Sequence, residues 1–95
     1  MPYTVYMSWK VTATPKTQKL LKKLSPKIRE LFQQLALDIE AMGPVRGDWP
    51  NYSKLANGSH HCHLNYSYVA VWRVVANHVQ FVEVTYVGSR ENAPY

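Results

Sequence analysis

The spacing of apolar residues changes character twice along this chain. In the first segment, Tyr3 to Trp9, the residues Thr4, Val5, Tyr6 and Trp9 favour extended backbone, and the run starts beside Pro2. That predicts a strand. From Thr14 to Met42 the spacing is helical. Thr14-Pro15 offers an N-cap hydroxyl followed by proline at the first helical position. Leu20, Leu21 and Leu24 then form one stripe. The helix stops at Ser25-Pro26, because proline disfavours helical backbone in the residue before it. The same dipeptide starts a second helix, in which Ile28, Leu31, Phe32, Leu35, Ile39 and Met42 share a face. Gly43-Pro44 ends it.

A turn-rich connection over 44–50 follows, and the period then becomes that of strands. They are expected at Tyr52–Leu55, His60–Tyr66, Tyr68–Ala76 and Val79–Val87, with turns at Asn57-Gly58 and Asn77-His78. The last two strands are apolar on both faces, as strands covered on both sides tend to be. The predicted order is a strand, an αα-hairpin, then three or four strands joined by short loops. That is a single α+β domain over 1–95, with a mainly antiparallel sheet carrying the helical hairpin on one face.

Composition narrows this picture. A chain of 95 residues buries a thin core. Its hydrophobic fraction of 46% is ordinary for a globular protein, which argues against disorder. No apolar run approaches the roughly 18–20 residues that span a membrane, and no leader pattern opens the chain. A cytoplasmic protein with no membrane partner is therefore expected. Cys62 is the sole cysteine, which excludes an intrachain disulfide and a multi-cysteine zinc site. The net charge of +5 is unevenly spread: Lys10, Lys16, Lys19, Lys22, Lys23, Lys27 and Arg29 follow one another with no acid between them. Such a run attracts phosphates or an acidic partner, or simply forms a solvated helix face.

The last third holds the candidate chemistry. On a strand, His61 and His63 point to one face, and His60 and Cys62 to the other. Histidine exchanges a proton near neutral pH, so two on one face can act as base and acid, or be ordinary polar strand residues. A zinc site is the other sharp possibility. It would need a third ligand, with His78 the candidate, because Cys62 faces away. Arg90, just past the final strand and Gly88, suits phosphate binding through its planar fork. Tyr95 can stack on a base or bind a phosphate. Lys54 and Arg73 are secondary candidates for phosphate, with Lys16, Lys19, Lys23 and Lys27 along the helical hairpin, mostly on its first helix.

The order of elements, the strand Tyr68-Val69-Ala70-Val71-Trp72-Arg73-Val74 and the closing Val-Gly-x-Arg-Glu…Tyr resemble the RelE/ParE superfamily of bacterial toxins. The likeness is closest to the RelE branch, and to a subgroup in which His-Cys-His-Leu precedes the hairpin. It implies a toxin of a type II toxin–antitoxin system: a ribosome-dependent mRNA endoribonuclease that inhibits translation, held off by a cognate antitoxin in a hetero-oligomer. It implies that His61 and His63 stand where the family presents two basic groups at i, i+2, and that Arg90 and Tyr95 complete the catalytic set. It also implies metal-independent attack by the 2′-hydroxyl, with no cofactor. The family often carries an arginine where this chain has Val69. The alternatives are a ParE-like gyrase-inhibiting toxin and a catalytically inactive RNA-binding or regulatory relative.

Overall fold

A computed structural model describes residues 9–76 and 78–95. The expected strand at Tyr3–Trp9 falls outside them except for Trp9, which is not in a strand. Among the described residues the first strand is β1, Lys10–Ala13. It lies parallel to the final strand, in the register Lys10↔Phe81 to Ala13↔Val84. Pairing with a strand seventy residues away selects this segment, and Val11 and Ala13 pack against the core from it.

The helices begin where the sequence places them. In α1, Pro15–Lys22, the Thr14 hydroxyl accepts from the backbone N–H of Thr17 at 3.1 Å. In α2, Pro26–Met42, the Ser25 hydroxyl accepts from that of Ile28 at 3.4 Å. Each cap satisfies an N–H that has no partner within the helix. The first helix stops slightly early, with Lys23 as its C-cap. At the end of α2, Gly43 adopts φ +98°, where a side chain would be strained, and the chain leaves the helix. Ile28, Leu35 and Ile39 are buried, with Leu31 and Phe32 packed beside them. Met42 corrects the expected face: it is the last residue of the helix and is 62% exposed.

The remaining strands are β2 Ser53–Lys54, β3 His60–His63, β4 Tyr68–Val74 and β5 Phe81–Ser89. The sheet order is β1-β5-β4-β3-β2, antiparallel except for the β1–β5 pair. Strand β3 ends at His63, short of the expected Tyr66, because the Asn65 side chain accepts from the N–H groups of Ser67 and Tyr68, both at 2.8 Å. That side chain closes a turn in place of further ladder bonds. The other turn signal, Asn57-Gly58, holds, with Gly58 at φ +88°. Asn77 lies outside the described residues.

The helices cover one face of the sheet through Cys62, Leu64, Ala70, Trp72, Val82, Val84 and Val87. Val69 and Val71 alternate with these and are also buried, so β4 is covered on both sides as its apolar run predicted. Behind β3, the His60 ring stacks on Trp72, 5.9 Å apart and 8° from parallel, and on Tyr52 at 5.9 Å. Tyr52 Oη and His60 Nδ1 lie 2.6 Å apart.

Burial, and then the charge of Lys54, lower the pKa of His60, so the fold favours its neutral ring. An unfolded chain would take up a proton near pH 6.5 that the folded one refuses. Folding stability is therefore expected to be full above about pH 6.5 and to fall as the pH drops below it. The lowered pKa of His63 acts in the same direction. Urea midpoints measured from pH 8 to pH 5 should show the fall, and His60→Phe should reduce it. A midpoint that rises on acidification would contradict this assignment.

Candidate active site

Register places the candidate chemistry on the face away from the helices. His61 lies opposite Val71 and His63 opposite Val69, and across β4 these meet Tyr86 and Gly88. Directly opposed residues share a face, so His61, His63, Tyr86 and Gly88 border one surface.

Three local features shape it. On the edge strand, Ser53 lies opposite His61, and its hydroxyl is 3.1 Å from His61 Nδ1. The Ser53 carbonyl is 3.4 Å from the same nitrogen. With Nδ1 turned toward Ser53, Nε2 is the ring nitrogen left free for proton exchange. Next, the chain turns after β5 in a 3-10 turn, Arg90–Asn92. The Arg90 N–H bonds the Ser67 carbonyl at 2.8 Å and pins this turn to the β3–β4 hairpin. The tail then returns to β3, where the Tyr95 ring sits 4.6 Å from that of His61. The His61 and His63 rings are 6.2 Å apart.

The third feature is Gly88. A Cβ there would stand 2.7 Å from the Tyr86 hydroxyl oxygen, which donates to the Ser89 carbonyl at 2.8 Å. Gly88→Ala is expected to displace the Tyr86 ring and cost about 1–3 kcal/mol, the usual range for overpacking. Thermal melts of the variant check it; an unchanged Tm would show that the ring gives way freely.

The electrostatics favour a neutral base. Burial, then the proximity of His61 and Arg90, lower the His63 pKa below its ordinary value. Burial raises that of the Tyr95 phenol, against a downward pull from Arg90. Tyr95 therefore stays protonated, its ring and hydroxyl available for stacking or hydrogen bonding. Cys62, in the core beneath, is pushed up to about 12 by burial and then by Asp48, which keeps it an unreactive thiol.

The other predicted residues divide. Arg73 holds Glu83 through Nε and Nη2 at 3.1 and 2.9 Å, so much of its charge is satisfied within the sheet. Lys54 is exposed and lies opposite His60, in the register that alternates with His61 and His63. Lys16, Lys19, Lys23 and Lys27 are exposed on and beside α1. His78 lies against Phe81 at the opposite end of β4 from His63, out of reach of a shared metal. Among the described residues, no three His, Cys, Asp or Glu side chains converge on a metal-sized site. Sequence reasoning missed Ser53 as the partner of His61. The only signal was a serine in a predicted strand, and cross-strand register decides its neighbour.

No protein-family model matches the sequence, and no curated protein is significantly similar to it. Solved structures do match. The archaeal RelE–RelB complex from Pyrococcus horikoshii OT3 superposes with a TM-score of 0.75 at 16% identity, over 92% of this chain and 100% of that one. The isolated RelE toxin of E. coli gives 0.71 at 18% identity, over 92% and 89%. A YoeB–YefM complex from Staphylococcus aureus gives 0.65 at 20% identity, over 83% and 93%. The α+β arrangement of two helices on a mixed five-stranded sheet is thus the fold of the RelE and YoeB toxins.

Proposed function

We propose that this protein is the toxin of a toxin–antitoxin pair and that it cuts mRNA on the ribosome. The observation that carries this reading is the convergence of His61, His63 and Tyr95 on the helix-free face of a RelE-type fold. Arg90 stands close enough to influence His63.

The reaction needs no metal. His63, held neutral, takes the proton of a ribose 2′-hydroxyl. The 2′-oxygen forms a bond to the adjacent phosphorus as the bond from phosphorus to the 5′-oxygen breaks. His61, acting as an imidazolium with Nδ1 anchored by Ser53, protonates the leaving 5′-oxygen from Nε2 and is left as the neutral ring, and the product is a 2′,3′-cyclic phosphate. Arg90 stabilises the charge that develops on the phosphoryl oxygens, and Tyr95 stacks on or orients a nucleotide beside His61. The lysines from Lys16 to Lys27 supply sequence-independent, salt-sensitive contact with ribosomal RNA. A cognate antitoxin is the expected protein partner, and the cytoplasm the expected location.

The test is primer extension on a well-translated mRNA after brief induction in bacteria, with and without a translation blocker. Cuts within the reading frame that vanish when translation stops are the expected result. Growth arrest with intact mRNA would replace this reading with a gyrase-type toxin, and no arrest would leave an inactive relative.

A further inference from the structure

The tip of the β3–β4 hairpin carries an aromatic side chain that the mechanism above does not use. Tyr66 is 78% exposed, although a large ring gains most from being covered. One face of the ring is taken: the Arg90 guanidinium carbon stands 4.9 Å from its centroid. Beside the pair is a cleft of about 240 Å³ lined by Tyr66, Ser67, Tyr68, Ser89, Arg90 and Glu91. The Ser89 hydroxyl oxygen is buried without a hydrogen-bond partner among the described residues, in the register position that shares the face of Tyr68 rather than that of Gly88. Such a group costs stability until something pairs with it.

Position gives the cleft its meaning. Tyr95 stands at His61, and Tyr66 stands at Arg90, so the two aromatics flank the row formed by His61, His63 and Arg90. The Glu91 carboxylate in the cleft wall repels a phosphate, whereas the exposed ring of Tyr66 suits a flat base. We propose that Tyr66 and this cleft form a second nucleobase subsite, so that the RNA strand is held by stacked bases on both sides of the phosphate that Arg90 contacts. Tyr66 does two things there. One ring face carries Arg90, holding the guanidinium ready for the phosphate, and the exposed ring stacks a base. The subsite rests on reading the active site as one that binds RNA.

The experiment walks a single 2-aminopurine along a short single-stranded RNA. The RNA is 2′-O-methylated so that it cannot be cut, and is titrated with the intact protein at low salt. Stacking on an aromatic ring quenches this base. Quenching is expected at two positions, one lost in Tyr95→Ala and the other in Tyr66→Ala, with affinity roughly tenfold or more weaker in the latter. Tyr66→Phe should retain both quenching and affinity, since the ring and not the hydroxyl does the stacking. Binding with quenching only at the Tyr95-dependent position would overturn the subsite and leave the ribonuclease reading intact. Equal losses in Tyr66→Phe and Tyr66→Ala would overturn the stacking role. A wild-type protein that binds no RNA would overturn the subsite, while the ribonuclease reading stands or falls separately on in-frame cleavage on ribosomes.

Discussion

Replacing His63 with alanine is expected to lower mRNA cleavage by about 10²- to 10⁴-fold, the usual contribution of a positioned general base. Arg90→Ala is expected to cost about 10²- to 10³-fold through the lost stabilisation of developing charge. Neither change should unfold the domain. The bonds recorded at both residues are made by the backbone, His63 N–H to the Pro50 carbonyl and Arg90 N–H to that of Ser67, both 2.8 Å, and alanine keeps them. Growth inhibition should therefore disappear while the melting temperature stays close to that of the parent. The pH profile separates the roles of the two residues. Burial, His61 and Arg90 together hold His63 below its ordinary pKa. As base it must be neutral, so the acid limb of kcat/KM should lie below about pH 6.5. Removing the Arg90 charge should move that limb upward, a shift that a purely structural arginine would not produce. Retained toxicity in both variants would remove the catalytic assignment.

The features legible in the sequence are those set by neighbours in the chain. Thr14 and Ser25 cap their helices because a hydroxyl followed by proline acts within a single turn. Gly58 turns the β2–β3 connection for an equally local reason. The pairing of His61 with His63 also follows from strand alternation alone. What sequence reasoning missed depends on register between distant segments. The strand Lys10–Ala13, which the sequence pattern did not mark, lies beside β5 through pairing across the fold. The placement of Ser53 opposite His61, and the return of Tyr95 to the same ring, are long-range in the same way. Met42 shows the reverse failure: its helical spacing is right, yet it stays exposed in the last turn of the helix. In the site, residue types were readable, while the neighbours that tune them were not.

Trp72→Ala is expected to be the most damaging change to the fold, and its effect should reach the active site through β3. Trp72 is fully buried, and it lies opposite His60 in the register of β3 and β4. Its ring stacks on His60 and stands 6.2 Å from that of Tyr52. Its Nε1–H donates to the Pro44 carbonyl at 3.0 Å, tying the connection after α2 to the sheet. Truncation to alanine should cost about 3–5 kcal/mol, the range for a large aromatic removed from a core. That is a large part of the roughly 5–15 kcal/mol that holds a small domain together, and Tm should fall on the order of 20 °C. Trp72→Phe keeps a ring against His60 but loses the indole N–H, so its loss should be clearly smaller. The consequence for chemistry follows from the pleat. His60 and His61 are neighbours that point to opposite faces, so the stack that locks His60 behind the sheet also sets the direction in which His61 and His63 project in front of it. Urea denaturation read beside cleavage tests this link. At temperatures where the variant remains folded, Trp72→Ala should still cut more slowly than the parent. Full activity in the folded variant would show that β3 is aligned by its ladder bonds alone.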